Sequence, residues 1–487
     1  MFGATGRHGR LYRCQGLHTP HGACRPAVRL RRPLIRARGI AGPQEARQPQ
    51  QRPRRGGFRR SPGIEAGRYG PLRREAARAA GTGNGYAHGG TRPYKEGREA
   101  AQRGIAARTG SVHDREREER EVSVAFPQHG GDLGWAAERY GLAREEFLDF
   151  SANVNPLGPS PQALQAARAA LAEISRYPEP HAASLRAELA EFLALAPGLL
   201  VLGNGSTELI HHLVRSMGPR RVTVVSPAFA EYAQAADNVG AGISCLQLSA
   251  EDGFSLDAEQ LAAAAASSQI TFFCNPASPS GRLYGRAELF PALQACRESG
   301  RLLVVDESFM GFCPPHLAGA ASLIPEVGGE GLVLVSTLTK LFALAGLRGP
   351  GWLAGPARLA SRLEEEAVPW RVNCVALAAA LSSLADRAYI EETRKKVPEW
   401  REEFARELEA TGMFQVFPSH VNFLLLRLAD PGFTAAALAD ELGRRGILVR
   451  QCGNFRGLEE GFIRVAVREP ADNARLLAVL EDISAIR

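Results

Sequence analysis

The chain has 487 residues, 45 % hydrophobic and 23 % charged, enough for a buried core and more than one domain. Its net charge of +7 is unevenly placed: of 59 Lys+Arg and 52 Asp+Glu, residues 1–120 hold 27 and 9, which leaves the rest acidic, 32 against 43. An acidic body gives no electrostatic case for nucleic acid, no apolar run reaches membrane-spanning length, and the 8 scattered cysteines lack the spacing of a zinc or disulfide framework.

Residues 1–120 are rich in Arg, Gly, Pro and Gln, as in QQRPRRGGFRRSPG, and show neither a helical nor a strand period. They are expected to be disordered. RNA binding is one reading of such a tail. The favoured one is that it is not part of the working protein and lies upstream of a start near Val112–Val124. With no apolar signal core at the N-terminus and unpaired thiols, the expected compartment is the cytoplasm.

From about Glu121 apolar β-branched runs alternate with Ala/Leu/Glu-rich helical runs. LLVLG (199–203), VTVVS (222–226), ITFFCN (270–275), LLVVDES (302–308), LVLVST (332–337) and GWLAG (351–355) read as buried strands. TELIHHLVRS (207–216) and AELFPALQACRES (287–299) read as helices between them. This is an α/β class with a mostly parallel sheet flanked by helices. After about Ala385 the order becomes helix, strand (421–428), helix, strand (461–467), a smaller α+β domain. The expected division is an N-terminal arm and part of a small domain over 121–170, a large domain over 171–385, and a C-terminal small domain over 386–487.

Chemically loaded residues sit where these strands end, which is where α/β sheets open a ligand crevice. GNGSTE (Gly203–Glu208) follows a strand and opens a helix, so its backbone N–H groups, Ser206 and Thr207 suit a phosphate. In NPASPSG, Asn275 is fixed between a strand end and a proline and could aim at a ligand. Asp306 ends a near-continuous apolar strand, where a carboxylate needs a cation. A protonated ring nitrogen and a core arginine are equal candidates. In STLTKLFALAGLRG, Lys340 follows a strand through a hydroxyl-rich turn, and a dry amine of lowered pKa is a nucleophile toward aldehydes. Arg348 keeps its charge and suits a phosphate dianion, with Thr337 and Thr339 as hydroxyl donors.

This order of motifs resembles the pyridoxal-phosphate enzymes of the aspartate-aminotransferase fold type, over roughly residues 125–487. The resemblance implies a Schiff base at Lys340, Asp306 against the pyridine nitrogen, and Asn275 on the ring hydroxyl. Ser206, Thr207, Thr337 and Arg348 would hold the cofactor phosphate, with Thr339 an extra donor. An aromatic of SPAFAEY would stack on the ring, Tyr232 being favoured over Phe229. Tyr177, in RYPEP, would reach a neighbour's cofactor phosphate across a homodimer interface.

Within the fold type the sequence is similar to threonine-phosphate decarboxylases and histidinol-phosphate aminotransferases. HGGDLGWAAERYGLAREEFLDFSANVNPLGPSP (129–161) and RQCGNFRGLEEGFIRVAV (450–467) resemble the decarboxylases. Phe309 stands where many aminotransferases carry a tyrosine. The resemblance implies Arg464 at the substrate α-carboxylate, Arg450 with His129 at the substrate phosphate, and Asn155 close to the substrate. A plain chain-entry turn residue is the other reading of His129. The implied reaction is decarboxylation of O-phospho-L-threonine to (R)-1-aminopropan-2-yl phosphate, for the aminopropanol linker of cobalamin. Cα would be protonated by Lys340 or a nearby donor. The alternative is amino transfer to imidazole-acetol phosphate.

Overall fold

The computed structural model describes residues 126–458 and 460–485. The tail expected to be disordered, 1–120, lies outside the described residues. Among these no helix is long and apolar enough to cross a membrane.

A short strand, β1 (Leu148–Asp149), precedes β2 (Leu200–Gly203), β3 (Arg221–Ser226), β4 (Gly242–Gln247), β5 (Ile270–Cys274), β6 (Leu302–Asp306), β7 (Leu332–Thr337) and β8 (Gly351–Ala354). These last seven form one sheet in the order β2-β8-β7-β6-β5-β3-β4. All neighbours from β7 to β4 are parallel; β8 alone runs against both β7 and β2. The inner strands β5, β6 and β7 are buried at every position, as continuous apolar runs under helices on both faces should be. Their side chains divide by parity: Leu303 and Val305 enter one core, Leu302 and Val304 the other. The edge strand β4, GISCLQ, is half exposed and lacks an apolar run, so no buried-strand pattern marks it.

A 24-residue helix, Arg387–Ala410, leads into the smaller domain. There β9 (Phe414–Val416), β10 (Phe423–Leu428), β12 (Arg450–Gln451) and β13 (Phe462–Ala466) form an antiparallel sheet in the order β12-β13-β10-β9. Its core joins Leu424 and Leu426 to Phe404, Leu408, Leu476 and Leu480. The strand β11 (Ile447–Leu448) pairs in parallel with β1, which ties the N-terminal segment to the C-terminal part of the chain.

The reversed strand β8 matters for the site. Gly351, its first residue, pairs with Gly203 on β2 and Thr337 on β7. The start of β8 and the ends of β2, β7 and β6 therefore share one rim.

Candidate active site

A cleft of about 850 Å³ opens at that rim. One wall is the turn into the helix Ser206–Met217, entered through Gly205 at φ +84. Arg348 lies against this turn and donates from Nη2 to the Asn204 carbonyl at 3.0 Å. A Cβ on Gly205 would sit 3.1 Å from that nitrogen, and one on Gly351 would sit 2.5 Å from Ser206 N. The two glycines let the strand, the guanidinium and the helix N-terminus approach closely, an arrangement that suits an anion. Ser206, Thr207, Thr337, Thr339 and Arg348 all line the cleft. Thr337 Oγ1 accepts from Thr339 N at 3.1 Å and donates to Thr339 Oγ1 at 2.8 Å.

Lys340 stands one turn beyond, on the four-residue helix Leu338–Leu341, and lines the same cleft as Asp306. Burial pulls its amine down to about 8, helped by Arg464 and Arg348 and only partly countered by Asp306. Such an amine is neutral far more often than an exposed lysine at the same pH.

Asp306 is 5 % exposed. Its Oδ2 accepts from the Tyr232 hydroxyl at 2.7 Å and its Oδ1 from Ser308 N at 2.9 Å. Burial raises its carboxyl above the ordinary range, opposed by the Ser308 and Tyr232 hydrogen bonds and by Lys340. Among the described residues no arginine pairs with it, so the core-arginine reading falls away, and the charged group that bears on it is Lys340.

Two arginines close the far side. Arg450 on β12 and Arg464 on β13 are direct cross-strand partners, 5 % and 8 % exposed. Arg464 donates to Ser278 Oγ at 3.1 Å and to the Ser151 carbonyl at 3.3 Å, and its guanidinium lies over Phe423. Asn153, with its amide oxygen turned toward the arginine, accepts from Nε at 3.1 Å. Arg450 donates to the Gln128 carbonyl at 2.6 Å and to Asn454 Oδ1 at 2.7 Å. Burial lowers both, Arg464 to about 10, so both remain cations at neutral pH. Neither has a carboxylate partner among the described residues. Like charges opposite each other on a ladder are destabilising, and buried ones more so. The pair makes sense as a site for anions.

His129 lines the mouth, half exposed, with Nε2 3.1 Å from Glu231 Oε1. The other oxygen of Glu231 lies 2.9 Å from His211 Nε2.

Three expectations need correction. Asn275 does not face the cleft: its Oδ1 accepts from Tyr284 N and its Nδ2 donates to Tyr284 O, both at 2.9 Å, with the residue fully buried. Asn155 does not reach a substrate either. Its N–H donates to the Lys340 carbonyl at 3.0 Å and its Nδ2 to the Leu341 carbonyl at 2.7 Å. It braces the lysine turn from behind, satisfying carbonyls that so short a helix leaves open. Tyr232 is not free to stack: its ring lies parallel to Phe272 at 4.9 Å, and its hydroxyl is held by Asp306. Phe229, set edge-on to Tyr232 and half buried, lines the cleft beside it. Tyr177 is outside the cleft, 80 % exposed, against Trp370 at 4.6 Å.

The sequence reading missed Ser278, Asn153, Asn454 and Arg456, all of which line the cleft. Ser278 and Asn153 lie in the same motifs as the residues chosen, three and two positions away. Among the described residues no group of three or more His, Cys, Asp or Glu could hold a metal ion.

Comparison with known proteins agrees with this geometry. Residues 145–480 match the family described as aminotransferase class I and II. The chain is similar to a threonine-phosphate decarboxylase of Salmonella typhimurium, 33 % identical over 73 % of this chain and 96 % of that one. It is also similar to a histidinol-phosphate aminotransferase of Symbiobacterium thermophilum, 35 % identical over 70 % and 91 %. Among solved structures it resembles the histidinol-phosphate aminotransferase of Sinorhizobium meliloti in complex with pyridoxal-5'-phosphate, with TM-score 0.66, 23 % identity, and 75 % and 96 % of the two chains covered.

Proposed function

Because the chain belongs to the class I and II aminotransferase family and works with pyridoxal 5'-phosphate, we propose that it decarboxylates O-phospho-L-threonine to (R)-1-aminopropan-2-yl phosphate, a step of cobalamin biosynthesis. The residues fit the cofactor. The turn around Gly205 and Arg348 suits its phosphate, Lys340 its formyl carbon, and the buried carboxyl of Asp306, held by Tyr232, its ring nitrogen. When bound, the ring supplies an electron sink for the pair left on Cα.

The observation that carries the reading is the buried pair Arg450 and Arg464, two uncompensated cations for a substrate with two anionic groups. Arg464 takes the carboxylate and Arg450, with His129 at the mouth, the phosphate. A carboxylate held tightly leaves poorly as neutral CO2, so Arg464 acts by fixing the direction of the Cα–carboxylate bond more than by stabilising charge. Asp306, held by Tyr232 and Ser308, keeps a proton on the ring nitrogen. Lys340 Nζ, already inclined to exchange protons near neutrality, returns one to Cα. Phe229 and Phe309 line the cleft with apolar surface that excludes water.

The second reading, amino transfer between glutamate and imidazole-acetol phosphate, is favoured by the 35 % identity to a histidinol-phosphate aminotransferase. Purified protein given each substrate set decides. CO2 release from phosphothreonine supports the proposal; amino transfer without it supports the rival. We place the reaction in the cytoplasm, in a homodimer, where the exposed Tyr177 and Trp370 would meet the second subunit beside its cofactor phosphate.

A further inference from the structure

Two buried arginines do not match the charge of the substrate proposed above. A phosphate ester carries about −1.5 to −2 near neutral pH, the α-carboxylate adds another negative charge, and the amino group is committed to the cofactor. The cleft holds a third arginine that has no part in that reading. Arg456 lines it and is exposed. Its place is set by the loop between β12 and β13. Asn454 Oδ1 accepts from the Arg450 guanidinium at 2.7 Å, and the Phe455 ring lies 5.0 Å from that guanidinium. The buried Leu458 donates from its N–H to the Phe455 carbonyl at 3.0 Å. Gly457, at φ +88, comes so close to Gln247, the last residue of β4, that a Cβ there would collide with the glutamine side chain. The backbone at 456 is thus held on both sides, by the wrap on Arg450 and by the edge of the large sheet, while the guanidinium stays in water. Among the described residues it makes no hydrogen bond or ion pair. The other exposed guanidinium of the lining, Arg348, is turned to the Asn204 carbonyl.

We propose that Arg456 is a rim charge that captures the substrate's phosphate at the mouth of the cleft and delivers it to Arg450. A cation placed this way acts on association and is screened by salt, because it keeps its hydration until the substrate arrives. The inference rests on the substrate being phosphorylated, and holds whether decarboxylation or amino transfer follows.

The test is Arg456→Ala in the holoenzyme, assayed with whichever phosphorylated substrate the wild type turns over. At low ionic strength kcat/KM should fall about threefold to tenfold while kcat changes little, the effect of losing one exposed charge on the path of a dianion. In about 0.5 M salt the deficit should largely vanish. Arg456→Lys keeps the charge and should recover most of the loss, which a packing role for the guanidinium would not allow. Inorganic phosphate, titrated calorimetrically into each holoenzyme, should bind Arg456→Ala more weakly than the wild type by a similar factor. An unchanged kcat/KM at low salt, or a loss that salt does not relieve, overturns the proposal. A wild type that turns over neither phosphorylated substrate, yet binds phosphate in a way that depends on Arg456, removes the reaction assigned above and leaves the capture role standing. Phosphate binding that is equal in all three proteins removes the capture role.

Discussion

Tyr232→Phe tests how far the acid at 306 depends on the Tyr232 hydroxyl. The change deletes a single oxygen and leaves the ring parallel to Phe272. The lost bond is short, 2.7 Å, and buried, with a carboxyl oxygen as acceptor. Such bonds contribute about 1.5–3 kcal/mol, so their loss moves the carboxyl's pKa. The shift is upward, adding to the rise that burial already imposes. A less stable carboxylate holds the ring-nitrogen proton less firmly, and kcat should fall by about tenfold to a hundredfold. KM for the phosphorylated substrate should move little, because Tyr232 is 1 % exposed and is tied to Asp306 rather than to the anion-binding arginines. Steady-state kinetics of product formation, with a thermal melt to show that the variant is folded, makes the measurement. A folded variant with wild-type kcat, beside an inactive Asp306→Ala, refutes the reasoning.

Three further outcomes are expected. With Lys340 as the proposed nucleophile, reacting as the neutral amine, the rate at which apoprotein takes up pyridoxal 5'-phosphate should climb with pH and level off above about 8; a midpoint near 10.5, the ordinary lysine value, contradicts this. Burial lifts the Glu307 carboxyl from 4.5 to about 7, so the folded chain holds that proton more tightly than the unfolded one. Its contribution to stability is full below 4.5 and is lost as pH rises through 7, by about 3 kcal/mol. Glu307→Gln, which keeps an acceptor for Leu323 N, should flatten the dependence of the melting temperature between pH 5 and 8, and unchanged slopes would count against it. Gly351→Ala places a Cβ 2.3 Å from the Gly205 carbonyl carbon, so the turn proposed for the cofactor phosphate must deform. Cofactor affinity should drop about tenfold or more, and a fluorescence titration giving the wild-type value would show that the turn yields without cost.

What the sequence made legible follows from how local each signal was. Lys340, Thr337 and Arg348 were found because one strand end and one turn hold them at fixed spacing, and Asp306 because a carboxylate at the end of an apolar strand demands explanation. The strands of the central sheet were readable for the same reason, as unbroken β-branched runs. Choices between neighbours were not readable. Asn153 and Asn155 share one run, yet one turns to Arg464 and the other to the back of the lysine turn. Asn275 and Ser278 share one loop, and only the hydrogen bonds to Tyr284 show which is sealed away. Tyr232 and Phe229 share one helix start, and the acceptor that claims the tyrosine comes from β6. In each case the deciding contact is made by a segment distant in sequence. The arginine pair was located as two residues, but the ladder that sets them face to face becomes visible only when β12 meets β13.

The pairing of β1 with β11 has a bearing on how the molecule is made. Leu148 finds its partner in Ile447, roughly 300 residues later. At translation rates of about 5–20 residues per second, the early strand waits on the order of 15–60 s for the later one to leave the ribosome. Arg464 emerges later still. The newborn polypeptide can therefore shape its lysine pocket well before it owns either of the groups that would grip a substrate.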